Sequence, residues 1–156
     1  YGTVLLWGNG YANDETNILV IADRAGFGEA HLYTKAPVDP EGFVSSISAI
    51  AHTLIGFLVG KVIMSIKDNG EKVQKIFFYG FLLFASGYLL TYAFEPNKRI
   101  WSPSYVLLTT GGATMLLAAL IYIIDVRNGG EHTRWTVFFH VFGVNPLALY
   151  VLAELL

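Results

Sequence analysis

Four stretches of this chain carry no Asp, Glu, Lys or Arg: 42–60, 76–94, 100–124 and 135–153, of 19, 19, 25 and 19 residues. A helix rises about 1.5 Å per residue, so a 19-residue run reaches about 28 Å, close to the ~30 Å depth of a hydrocarbon core. One such run would suit a buried helix of a soluble protein. Four of them, separated by short polar connections, read as an all-α, polytopic transmembrane helix bundle. A transmembrane barrel needs alternating segments of about ten residues, and these runs do not alternate. The 10 Lys+Arg and 12 Asp+Glu side chains all lie outside the runs and nearly cancel, so no basic field invites nucleic acid. With 54% hydrophobic and 14% charged residues, intrinsic disorder is excluded. The absence of cysteine removes any disulfide framework, thiolate metal site or cysteine nucleophile.

Residues 1–156 read as part of a membrane domain. Residues 1–8 resemble the end of a preceding span, 9–41 form an outward-facing segment, and 42–156 hold four spans near 42–65, 75–94, 104–124 and 135–156. The apolar start at Tyr1 and the apolar finish at Leu156 suggest a piece of a longer membrane protein. Within 9–41, the stretch 17–25 fits a short interfacial helix stopped by Gly26 and Gly28. Pro37 and Pro40 force extended geometry on the residues before them. Lys61, Lys67, Lys72, Lys75, Arg127 and Arg134 fall on one side of the membrane, and Arg24, Lys35, Lys98 and Arg99 on the other. By the positive-inside rule the 67–75 and 125–134 connections are cytoplasmic, and 9–41 and 95–103 face outward together. Trp101 and Trp135 sit at span ends, where amphipathic aromatics belong.

A few polar residues stand against this apolar background. His52 lies ten residues into the first span, about 14 Å deep. An ionisable residue at that depth is a functional candidate. The alternative is a neutral imidazole bonded to a neighbouring helix, aided by Ser48 or Thr53. His140 is either a second such group or a polar residue near the interface. The four histidines, His31, His52, His132 and His140, show no metal-ligand spacing, so no metal site is expected. In Gly143-Val144-Asn145-Pro146, the proline removes one helical hydrogen bond and frees the carbonyl of Phe142. Such a break is tolerated where it lines a cavity or packs against protein, and Asn145 should face the same interior. Asp39 and Glu41 flank Pro40 just before the first span, as an acid/base pair or as a helix-entry turn. Lys98 and Arg99 form a basic pair at the outer interface, suited to snorkelling or lipid contact. The pair Gly26 and Gly28 lacks the strand and third glycine of a dinucleotide fingerprint.

In their order and spacing several motifs resemble one family. They are Ala22-Asp23-Arg24, His31-Leu32-Tyr33, Asp39-Pro40-Glu41-Gly42 with Ile47 and Ile50, and Gly56 with Gly60-Lys61. Further along come Pro96-Asn97-Lys98, Trp101-Ser102, Ser104-Tyr105-Val106, Asp125-Val126, Phe142-Gly143-Val144-Asn145 and Leu149-Tyr150-Val151. Together they are similar to the C-terminal portion of the heparan-α-glucosaminide N-acetyltransferase family, polytopic membrane acyltransferases with bacterial homologues. The resemblance implies an enzyme that moves an acetyl group from cytoplasmic acetyl-CoA to a sugar amine or hydroxyl on the outer side of the membrane, without a metal. It implies that the catalytic histidine lies in an N-terminal segment preceding this stretch, so that neither His52 nor His140 inherits that role.

Supporting roles remain for His31, Asp39, Glu41, His52, Asn97, Lys98, Trp101, Ser104 and Asn145. His52 and Asn145 would line a polar path, and Asp39 and Glu41 would hold the acceptor. Asn97, Lys98 and Trp101 resemble a sugar-contacting edge. The expected partners are the lipid bilayer, acetyl-CoA and a glycan or amino-sugar acceptor, with room for a homo-oligomer and none for nucleic acid. The expected location is a bacterial inner membrane, as a multi-pass protein. The rival reading is a transporter segment with a mid-membrane polar site, since broken helices and buried polar groups mark such sites too.

Overall fold

The computed structural model describes residues 1–12, 15–28, 37–39, 42–127, 136–137, 140 and 143–155. Its regular elements among these residues are all helical: α1 (Gly2–Trp7), α2 (Ile18–Phe27), α3 (Phe43–Ser65), α4 (Asn69–Leu90), α5 (Pro103–Ile121) and α6 (Pro146–Leu155). A π-helical turn, Tyr122–Arg127, extends α5. Among the described residues three helices are long and apolar enough to cross a membrane: α3, α4, and α5 with its π-helical extension. Of the fourth expected span, 135–156, residues 136–137, 140 and 143–155 are described; the regular helix among them is α6, ten residues long, preceded by two helical residues at 143–144.

Local chemistry explains where these helices begin. The Asn17 side chain accepts from the Leu19 amide and starts α2 at Ile18; the helix then runs through Gly26, where the sequence suggested a stop, and ends at Gly28, whose φ is +74°. Asp68 accepts from the Glu71 amide at 2.7 Å and starts α4 at Asn69, six residues earlier than the span expected from charge alone. Most of the 67–75 stretch is therefore the first turns of a helix rather than a loop, and a Glu71–Lys75 ion pair of 2.6 Å lies along it. Ser102 caps α5, with Pro103 at its first turn, where a missing N–H does no harm.

The tightest packing joins α4 to α5, which run antiparallel. Glycines bring their backbones into contact. A methyl group added at Gly87 would sit 2.6 Å from the Leu108 amide nitrogen, and one at Gly80 would sit 2.9 Å from that of Met115. One at Gly111 would run into the Phe84 backbone and approach the Gly80 carbonyl to 2.8 Å. Small residues at a helix interface are what lipid-embedded packing requires, because the hydrophobic effect does not pull apolar helices together there. Thr110 and Thr114 are buried on α5, and each hydroxyl donates to a carbonyl one turn back, at 2.6 and 2.7 Å.

Helix α3 packs more lightly against this pair. Elsewhere it exposes Ile47, Ile50, Leu54, Phe57, Leu58 and Met64, a surface suited to lipid or further helices. A separate apolar cluster forms at one end of the bundle from Leu5, Leu19, Val20, Val38 and Ile100. The Tyr1 hydroxyl donates to the carbonyl of Ile100 and ties the chain start to the 95–102 connection. The described parts of 9–41 and the 95–103 connection therefore share one end of the molecule. The turn at 66–68 between α3 and α4, and the end of the α5 extension, lie at the other end.

Candidate functional site

The connection between α4 and α5 is built around two serines that are fully buried, Ser102 and Ser104. Ser102 Oγ accepts from the Asn97 amide at 2.9 Å and lies 3.2 Å from Ser104 Oγ. Ser104 Oγ in turn donates to the Phe94 carbonyl at 2.6 Å. The Asn97 side-chain oxygen accepts from the Arg99 amide at 2.9 Å, closing a local turn. This pinned loop delivers Trp101 with a φ of +47°, in the left-handed region. For a bulky side chain that conformation costs about 1–2 kcal/mol. It persists because the surroundings hold it: the Trp101 carbonyl accepts from Ser48 Oγ of α3 at 2.7 Å, and its amide donates to the Lys98 carbonyl at 3.3 Å.

So held, the Trp101 ring packs edge-on against His52 of α3, with centroids 5.4 Å apart, and against Tyr105 of α5 at 5.9 Å. His52 Nδ1 is buried and has no hydrogen-bond partner among the described residues. His52 stands at the head of an open groove of about 280 Å³ between α3 and α5, walled by Gly56, Val59, Gly60, Thr110 and Thr114. Nothing lies within 4 Å of where a methyl group would sit on Gly56 or Gly60, so α3 offers a shallow trough there. The two threonine hydroxyls donate within their own helix, which leaves His52 as the groove's strongest polar feature.

A second polar centre lies at the start of α3. Asp23 of α2 is 2% exposed, and its Oδ1 accepts from the Phe43 amide at 2.8 Å. A carboxylate on one helix thus caps the N-terminus of another, where the helix dipole favours negative charge. Gly42 leaves the room: a methyl group there would strike the Asp23 carboxylate. Burial pushes the Asp23 carboxyl above its ordinary range, the Phe43 and Val44 amides oppose that rise, and the nearby Asp39 charge adds to it.

The structure joins His52 to Trp101, two residues that the sequence offers in separate roles. It gives Ser48 to the Trp101 carbonyl rather than to His52, and Thr53 bonds back to the Ala49 carbonyl at 3.0 Å. Of the expected sugar edge, Lys98 is exposed, Trp101 is half-buried against His52, and the Asn97 oxygen is used within its own turn. Ser104 is a buried structural hydroxyl. Asp39 lies near Asp23, whereas His31 and Glu41 fall outside the described residues. The helix break expected near Pro146 is present, since Asn145 is non-helical and α6 begins after it. Asn145 itself is exposed rather than enclosed by the described residues. His140 is exposed too.

Asp23, read in the sequence only as part of the Ala22-Asp23-Arg24 motif, was given no role of its own there. Its signal was present: it is the one acid in α2, a stretch whose other charged residue is Arg24.

No family model matches the chain, and no solved structure matches it. It is similar to the heparan-alpha-glucosaminide N-acetyltransferase of Mus musculus, at 30% identity over 153 residues covering 86% of this chain. The Homo sapiens protein of the same name is 28% identical over 148 residues, covering 83% of this chain. The chain spans 22% and 21% of the lengths of these two relatives.

Proposed function

We propose that this chain is part of a membrane acyltransferase that moves an acetyl group from cytoplasmic acetyl-CoA to a sugar amine or hydroxyl on the outer side of the membrane. The observation that carries the reading is the similarity over 86% of the chain to a protein named for N-acetyl transfer to a glucosaminide. The geometry supports it. Acetyl transfer across an apolar slab needs a path for the acyl group, a hydrogen-bond donor for the developing oxyanion and a place for the acceptor.

The trough along Gly56 and Gly60 offers room for a slim acyl-bearing arm, and His52 at its head supplies a ring nitrogen. Lys61 near one end of α3, with Lys67 in the turn and Lys72 beyond it, would offer cations to the donor's phosphates. At the opposite end Asp39 and Glu41 would hold an acceptor amine, and Lys98 and Trp101 would present an edge to its sugar ring. The nucleophile-activating base is assigned outside this stretch, as the family resemblance implies.

The test uses the full-length protein in detergent, with acetyl-labelled acetyl-CoA and glucosamine. The expected product is labelled N-acetylglucosamine, formed only when both substrates are present. Uptake of intact glucosamine into proteoliposomes with no acetylated product would contradict the reading and favour a transporter.

A further inference from the structure

His52 carries a question that the acyltransferase reading leaves open, namely which of its ring nitrogens bears the proton. A neutral imidazole has one N–H and one bare nitrogen. Its Nδ1 is sealed from solvent and has no hydrogen-bond partner among the described residues. A proton there would be an orphaned buried N–H, which is rare in proteins and costs about 1–3 kcal/mol. A bare lone pair in the same place is the better-tolerated defect.

The neighbourhood enforces that choice. Ser48, one turn before His52 on the same helix face, would be a natural partner for Nδ1. Its hydroxyl instead donates to the Trp101 carbonyl at 2.7 Å. Thr53, the next residue along, donates to Ala49 at 3.0 Å. The Trp101 ring packs against the imidazole at 5.4 Å, and its backbone sits in a conformation that needs outside support.

We infer that Ser48 and Trp101 are positioning residues that hold His52 in the Nε2–H form, so that it faces the α3–α5 groove as a hydrogen-bond donor to an acyl carbonyl and not as a proton acceptor. The ligand class is an ester, thioester or amide carbonyl on a slim, unbranched arm, because the groove walls are mostly apolar, the Thr110 and Thr114 hydroxyls donate within α5, and Gly56 and Gly60 leave only a trough. The identity of that carbonyl rests on the acyltransferase reading; the tautomer does not.

Nitrogen-15 NMR of the full-length protein in lipid nanodiscs, labelled at histidine, tests the tautomer. The His52 signals are assigned by their loss in His52→Asn. The expected spectrum shows a protonated Nε2 and a bare Nδ1. Ser48→Ala, which releases the Trp101 carbonyl, should move the signals toward a mixture of tautomers, and Ser48→Thr, which keeps the hydroxyl, should restore them. A proton on Nδ1 in the unaltered protein, or a Ser48→Ala spectrum identical to it, overturns the inference.

Turnover supplies the second arm. A glutamine amide reaches the Nε2 position, whereas an asparagine amide reaches only the Nδ1 position. His52→Gln should keep kcat within about tenfold, and His52→Asn should lose about 10²–10³, the usual effect of deleting one oxyanion donor. Equal losses in the two variants would overturn the donor role. Absence of acetyl transfer by the unaltered protein would instead overturn the acyltransferase reading, with the NMR result still deciding the tautomer.

Discussion

Replacing Gly111 by alanine is expected to destabilise the protein by about 2–3 kcal/mol, the upper part of the range for overpacking a tight interface. On propensity alone the change should help, since alanine is better than glycine in a helix by about 1 kcal/mol. Contact geometry reverses the sign. The new methyl group would meet the Phe84 backbone and come within 2.8 Å of the Gly80 carbonyl, and neither can move without separating α4 from α5. A flexible side chain could step aside, but a helix backbone cannot. The next residue is the control: a methyl group on Gly112 would meet only Phe84 ring atoms at 3.9–4.0 Å, an ordinary contact. Gly112→Ala should therefore be neutral or mildly stabilising. Thermal unfolding in detergent, followed by near-ultraviolet circular dichroism, separates the two. A Gly111→Ala protein as stable as the parent would show that α4 and α5 are not in backbone contact.

The second large effect concerns Asp23. Asp23→Ala leaves the Phe43 amide at the head of α3 without its acceptor, and should cost about 1–3 kcal/mol. Asp23→Asn keeps a side-chain oxygen in place and should avoid that cost. The two variants also differ in pH dependence. The Asp23 carboxyl is pushed upward in the folded protein, chiefly by burial. Between the ordinary aspartate value, about 3.9, and that raised value, the folded state holds a proton that the unfolded state has released. Stability from this group therefore falls as pH rises through that window and is flat above it. Asp23→Asn should flatten the slope and be at least as stable as the parent at neutral pH. Thermal midpoints across an acidic pH series check the sign. A parent protein that gains stability over that window, with Asp23→Asn losing the gain, would mean that the carboxylate is held ionised.

The membrane class was legible because it depends on length and the absence of charge, which need no tertiary information. The first three spans follow from that alone. Their ends were less legible: α4 begins at Asn69 because Asp68 caps it, and a charge-based boundary discards the polar first turns of a helix. His52 could be singled out by depth, and Trp101 by its place at a span end. Their contact could not, because it depends on a left-handed backbone that Ser48 stabilises from 53 residues away. Asp23 was overlooked for a related reason: its partner, the Phe43 amide, lies 20 residues on and is a backbone group, invisible to side-chain motifs. The apolar character of 135–156 was equally plain, but hydropathy does not show the non-helical Asn145 that precedes α6.

Acetyl transfer between the two sides of a bilayer is the most direct test of the whole account. The full-length protein is reconstituted in proteoliposomes, with glucosamine trapped inside and acetyl-CoA added outside. Orientation is scored by an impermeant thiol reagent at a cysteine placed at Asn69. N-acetylglucosamine should accumulate inside in proportion to the fraction of molecules whose Asn69 end faces outward. Product formed only when donor and acceptor share a compartment, or only by molecules of the opposite orientation, would contradict it.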